Sequence, residues 1–331
     1  MDRQKIEFSA RASLVARGVR FQPMGIWAEV SAQVKIKQKI HKHTPVEKLL
    51  DCLLNILAGG QGVMETHILV RPDEAVPRAF GRDCCADQST ISRTLNACRA
   101  QNVTQLRDAI SRILQKPARS YQPGYTGAEL LLDIDMTGMP AGGQGEGCTK
   151  GDFAQRKHCR ARQRGRVLAT DDDEIIVDRL DDGKRQLNCS LPDLGQQAPR
   201  VLALEAAKRR ATMVRIDGGA GDEVNLNWVL GQGYHWLIKL TSWRRAHQLS
   251  ASVGEWFADP KIADRSVGGV QQGLTFTRPT RQLLVRTPKS DGQWSYCLLL
   301  TTLSDAMHFR LASRALGADR AATSAGHLAR L

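Results

Sequence analysis

"LLDIDMTGMP", residues 131–140, has the apolar content of a buried strand and yet carries two aspartates. Alternation along a strand predicts Leu132, Ile134 and Met136 on one face, and Asp133 and Asp135 together on the other. Two carboxylates on one face of a buried strand repel each other and lose hydration. They are costly unless paired, hydrogen-bonded or holding a cation. The plainer alternative is a strand end whose acids reach water, or Asp135 capping the turn at Thr137-Gly138. The rest of the chain has to decide.

Upstream of this stretch the residue pattern is helical. "TPVEKLLDCLLNILAGG" (44–60) has a Thr cap, Pro in the first turn, apolar residues at helical spacing and a closing Gly pair. "DQSTISRTLNACRAQ" (87–101) begins with a capping Asp87, and Ile91, Leu95 and Cys98 give it one apolar face. "VTQLRDAISRILQK" (103–116) is a third amphipathic segment, and "KPARSYQPGYTG" (116–127) reads as a linker.

Downstream the period becomes that of strands. "GRVLAT" and "EIIVDRL", joined by "DDD" (171–173), predict a hairpin. A helix around 198–210 leads to "TMVRID" (212–217), a glycine turn, a helix near 222–232 and "YHWLIKLT" (234–241). "GLTFTRP", "RQLLVRTP" and "WSYCLLLTT" suggest an antiparallel addition. Strands with interleaved helices after an all-helical region indicate an α/β domain behind a helical one.

Of the 331 residues, 42% are hydrophobic and 24% charged, as in a folded soluble protein. No run of about 18 apolar residues exists to span a membrane. The N-terminal "MDRQKIEFSARASLVARG" lacks the apolar core of a secretory signal, so a cytoplasmic protein is expected. The eight cysteines contain no C-x-x-C pair and read as small buried or incidental residues. The net charge of +13 favours a polyanion, most simply nucleic acid. It is clustered in "KIKQKIHKH" (35–43), "RKHCRARQRGR" (156–166), "KRR" (208–210) and "WRR" (243–245).

Several motifs bear on function. Residues 87–99 resemble the second half of a helix-turn-helix, where Gln88, Ser89, Ser92 and Arg93 are suited to meet phosphates and base edges. The alternative is an ordinary capped helix in a bundle. Arg156, Lys157, Arg160 and Arg162 are the further candidate DNA contacts. "GGQGEGCTKG" (142–151) is not a phosphate loop, since Thr precedes Lys there; it reads as a loop between strands. Asp171, Asp172, Asp173 and Glu174 read as solvated turn formers rather than metal ligands. "TMVRIDGGAGDEVNLNWVL" is the stronger partner for the opening stretch. An apolar strand ends in Asp217, two glycines release the backbone, and Asp222 or Glu223 begins a helix. An acid at the carboxyl end of a strand before a Gly turn is where α/β sheets bind ligands. Asp135 and Asp217 on adjacent strands, beside a basic surface, are what divalent-metal phosphodiester chemistry requires.

"LLDIDMTGMP", "GRVLATDDDEIIVDRL", "VRIDGGAGDEVNLNWVLGQGYHWLIKLTSW" and "DQSTISRTLNAC" together resemble the DDE transposases of bacterial insertion sequences, of the type-four, transposon Tn-five-like superfamily. The resemblance runs from about residue 20 to 303. It implies an α/β chain with an RNase H-like mixed sheet (127–303), a β-rich insertion at about 243–295 and a helical DNA-binding domain in front (1–120). It also implies cut-and-paste transposition with magnesium, manganese being the alternative ion. Asp135, in its Asp-x-Thr setting, and Asp217 are the catalytic and metal-holding acids, with Asp133 a neighbour. The implied partners are duplex DNA at element ends and target, bound by a homodimer at the bacterial nucleoid, with no membrane.

The family pattern then breaks. A third acid, normally Glu, belongs on a helix after the last strand, yet the last glutamate is Glu255 and the last tyrosine Tyr296. Residues 304–331 contain 8 alanines and 4 arginines in 28 positions, the composition of an alternative reading frame in a GC-rich gene. The expectation is therefore a truncated or frame-shifted transposase, inactive for want of its third acid. Asp305 or Asp319 in a genuine helix is the alternative, and Glu255 a poor substitute. Two rival readings stay open: a non-catalytic DNA-binding remnant or repressor, and a stand-alone RNase H-like metal nuclease.

Overall fold

The computed structural model describes residues 8–121, 130–141, 144–153, 156–218, 222–240, 242–260 and 262–303. The chain divides into two compact units, 1–117 and 118–331. Among the described residues no helix is long and apolar enough to cross a membrane.

The first unit is helical: α1 (Ala12–Phe21), α2 (Ile26–Gln33), α3 (Pro45–Leu57), α4 (Thr66–Leu69), α5 (Ala75–Ala79), α6 (Gln88–Ala97) and α7 (Ala100–Gln115). Thr44 caps α3 through a reciprocal exchange with Glu47 and Pro45 opens its first turn, as the local sequence demands. Leu14, Leu50, Leu54, Val76 and Phe80 form its main core. Gly18 is required there, because a Cβ would sit 2.5 Å from the Phe80 ring. An ion cluster is buried beside this core. Asp51 accepts from Arg82 at 3.1 Å and from the Ala86 N–H at 2.8 Å. Burial pushes the Asp51 carboxyl above its ordinary pKa despite those donors.

The second unit is built on one mixed sheet. Its strands are β1 (Leu130–Pro140), β2 (Thr149–Phe153), β3 (Arg156–Ala169) and β4 (Glu174–Asp182), followed by α8 (Leu187–Val201), α9 (Ala206–Arg210) and β5 (Thr212–Ile216). Then come α10 (Glu223–Leu230), β6 (His235–Leu240), α11 (Trp243–Leu249), β7 (Phe257–Ala258), β8 (Ser266–Gly269), β9 (Arg281–Pro288) and β10 (Trp294–Thr301). β3 pairs antiparallel with both β4 and β1; β1, β5 and β6 run parallel; β10, β9, β8 and β7 continue antiparallel from β6. The described residues from 243 to 301 thus open with a helix and then extend the same sheet.

One face of the sheet is apolar. Ile134, Val167, Val214, Ile216, Trp236 and Ile238 are buried there, and α8 lies over it, with Leu194 against Gly165. The helix expected at 198–210 is two helices, and the first begins at Leu187. Pro192 and Pro199 lie inside α8 and disguise it in the sequence. Pro192 cannot donate to the Asn188 carbonyl, which instead accepts from Asn225 Nδ2 of α10 at 3.0 Å. "GLTFTRP" (273–279), expected as a strand, is a loop. The Gln282 side chain satisfies the Leu274 N–H and C=O there, and Thr277 is tied to Asn227.

Candidate active site

Register places the two expected acids together. Parallel pairing of β1 with β5 aligns Asp133 with Arg215 and Ile134 with Ile216. Asp135 and Asp217 directly follow this last pair, and strand spacing of about 5 Å makes them neighbours. Both point away from the α8 side. Asp133, two residues before Asp135, binds Arg215 on that face, and the Asp217 carboxylate reaches Lys239 Nζ of β6 at 3.4 Å. Asp135, midway along β1, and Asp217, the residue directly after β5, are thus neighbours although 82 residues apart in sequence (217 − 135).

The two rungs differ in chemistry. Asp133 is held by Arg215 and by Thr170 Oγ1 at 2.9 Å, and the Arg215 side chain is only 11% exposed. Asp135 accepts from the Met136 N–H at 2.7 Å and from Thr137 Oγ1 at 3.5 Å, and is solvent-exposed. Asp217 accepts from the Gly218 N–H at 2.7 Å, and its side chain is 66% exposed. Across β3 the partner of Asp135 is Arg166, which lies 3.3 Å from Asp178 of β4. The row of side chains across the sheet reads Asp178, Arg166, Asp135, Asp217, Lys239. The acid pair is bracketed by cations. Burial raises the Asp178 pKa, but the Arg164 and Arg166 guanidiniums more than offset this and hold it below the ordinary aspartate value.

The donors at the rung suit a hard divalent cation, which takes oxygen ligands and keeps several waters. Among the described residues no group of three His, Cys, Asp or Glu side chains could hold a metal. Asp305 and Asp319 lie outside the described residues. Arg166, Arg215 and Lys239 were missed in the sequence reading. Their signal was there: "DID" and "RID" carry polar residues at the same two-residue spacing, and parallel register turns that into a ladder.

At the hairpin tip Glu174 is no solvated turn former. Its carboxylate accepts from the Arg119 N–H at 2.9 Å, the Ser120 N–H at 3.0 Å and Ser120 Oγ at 2.6 Å, and so anchors the start of this unit. Burial raises its pKa, and these bonds bring it below the ordinary glutamate value.

The candidate DNA contacts fall into two groups. In the first unit, Ser89, Ser92 and Arg93 are exposed on α6, with Gln88 half-buried at its start. Asp87 caps the helix by accepting from the Ser89 N–H at 2.9 Å, and Arg71 holds that cap. The buried face of α6 is Ile91 and Thr94, while Leu95 is 36% exposed. Thr94 displaces the expected Leu95 because its hydroxyl bonds Gln38 Oε1 at 2.7 Å. Gln38 belongs to an extended segment whose Lys35, Lys37 and Lys39 are exposed. In the second unit Arg160 is exposed on β3, whereas Arg162 donates to the Glu146, Asp181 and Leu180 carbonyls at 3.0, 3.3 and 3.4 Å. The side chains of Arg156 and Lys157 lie outside the described residues.

No family model matches the chain, and no curated protein matches it. A solved structure that does match is a piggyBac transposase synaptic complex with hairpin DNA. Identity is 11% and the TM-score 0.39, over 88% of this chain and 59% of that one, so this chain spans about three fifths of its length. Similarity at that level defines neither fold nor function for this chain.

Proposed function

We propose that the chain is a DDE-type transposase, acting on phosphodiester bonds of duplex DNA at insertion-sequence ends, on an RNase H-like sheet. The observation that carries the reading is the placing of Asp135, midway along β1, next to Asp217, directly after β5. The strand order β4-β3-β1-β5-β6, three antiparallel strands and then two parallel ones, supports the RNase H-like assignment. Asp135 and Asp217 would hold magnesium, or manganese in its place, and the bound ion supplies charge neutralisation and Lewis acidity at the scissile phosphate. Lys239 and Arg166 bracket the acids and offset the charge that a phosphodiester brings. The α6 surface and the lysines before it supply sequence-dependent and backbone contacts to DNA, with two copies of the chain on the two element ends.

The test is metal-dependent nicking of a duplex carrying the element's ends, in magnesium and in manganese. Asp135→Asn and Asp217→Asn should each lower the rate by about 1000-fold or more, with duplex affinity kept. The same assay on a version whose reading frame past residue 303 is restored separates the rivals: cutting and joining supports the transposase, no cleavage with affinity intact favours the repressor reading, and cleavage without joining favours the stand-alone nuclease. The chain as written is expected not to complete strand transfer, because no third acid joins the pair among the described residues.

A further inference from the structure

A concavity lies at the amino ends of β5 and β6. α9 ends in Lys208-Arg209-Arg210 just before β5, and α10 runs into the turn Gly231-Gln232-Gly233 before β6. Both junctions are at the amino ends of strands whose carboxyl ends lead to Asp217 and Lys239. With Arg278, from the loop between β8 and β9, they form a cleft of about 500 Å³. Arg209, Arg210 and Arg278 line it, and the lining contains no carboxylate.

Two of the three guanidiniums are fixed in place. Arg209 Nε donates to the Leu204 carbonyl at 3.0 Å, and its head lies 5.8 Å from the Tyr234 ring centroid. Arg278 Nη1 donates to the Leu230 carbonyl at 3.3 Å, and Thr277 next to it is tied to Asn227 Oδ1 through both its N–H and its hydroxyl. Other arginines of this unit do meet acids: Arg164 and Arg166 on Asp178, Arg179 and Arg185 on Asp193, Arg215 on Asp133, Arg265 on Asp259. Among the described residues no carboxylate pairs with Arg209, Arg210 or Arg278.

Each guanidinium has five donors in a rigid fork matched to phosphate oxygens, and three like charges around one cleft repel until an anion enters. Gly233 leaves room for one, since a Cβ added there meets nothing within 4 Å. Gln232 Nε2 donates to the Trp228 carbonyl at 3.1 Å, which holds this side chain against α10. We propose that this cleft is a phosphate-binding site, recognising the phosphate and not the base or sugar attached to it. The phosphate comes either from a DNA backbone or from a small phosphate-bearing molecule.

The test uses the full chain and the double substitution Arg210→Ala with Arg278→Ala; Arg209 is kept because it packs on Tyr234. Calorimetry with inorganic pyrophosphate forms one arm. Fluorescence anisotropy with a duplex of arbitrary sequence, between about 50 and 200 mM salt, forms the other. A backbone site predicts weaker duplex binding, with a salt slope shallower by about 0.9 for each lost contact. A small-ligand site predicts pyrophosphate affinity lower by about tenfold or more with duplex binding unchanged. Unchanged affinity in both arms overturns the proposal. Asp135→Asn should alter neither arm, so the result stands apart from that of the metal-site assay.

Discussion

Two neighbouring rungs of the β1–β5 ladder share a face, a strand pair and an acid on β1, and differ in what faces that acid. In the lower rung Asp133 meets Arg215; in the upper one Asp135 meets Asp217. The lower rung is closed, since its guanidinium spans both carboxylate oxygens and Thr170 adds a hydroxyl. The upper rung is open: two exposed carboxylates side by side, with cations only on the outer strands. The first arrangement holds two strands together. The second leaves two exposed carboxylates next to each other, with Lys239 on Asp217, and it is the arrangement that the proposed function assigns to a cation.

That contrast is breakable by substitution, beginning where the effect is largest. Arg215→Ala leaves Asp133, whose side chain is 29% exposed, between Leu168 and the new alanine with only Thr170 as a donor, and should cost about 2–4 kcal/mol in urea unfolding. Glu174→Gln should cost about 1–2 kcal/mol by weakening three bonds to residues 119 and 120. Asp135→Asn should move the other way, gaining up to about 1 kcal/mol as like-charge repulsion across the rung is relieved. A loss of stability in Asp135→Asn equal to that in Arg215→Ala would erase the distinction between the rungs.

The pH dependence carries a sign of its own. Glu174 and Asp178 have folded pKa values below their ordinary 4.5 and 3.8, so their stabilisation is present above that range and is lost as pH falls through the lower folded values. Asp51, with its pKa raised, acts oppositely: its contribution fades as pH rises through the folded value. Acid should therefore weaken the sheet unit, and Glu174→Gln should shrink the difference between urea midpoints at neutral and acidic pH.

Much of this was legible before the fold was known, for local reasons. Capping residues at Thr44, Asp87 and Asp222 announced their helices, because a cap is a short-range hydrogen bond. The strand with two acids and the acid-Gly-Gly turn pointed to the two segments that the register sets side by side. What stayed hidden depends on contacts between distant segments. Leu187–Val201 was obscured by two prolines whose lost bonds are compensated from elsewhere, as Asn225 does for Asn188. Which acid would be neutralised followed only from register: Arg215 falls opposite Asp133, and Lys239 beside Asp217. Thr94 rather than Leu95 faces inward because of Gln38, 56 residues away.

The most direct test is manganese binding to the full chain, read by electron paramagnetic resonance, for the unaltered protein and for Asp133→Asn, Asp135→Asn and Asp217→Asn, each checked for folding by circular dichroism. Binding should be lost in Asp135→Asn and Asp217→Asn and kept in Asp133→Asn. Full binding in Asp217→Asn, or a loss in Asp133→Asn equal to that in Asp135→Asn, would contradict the assignment of the open rung as the metal site.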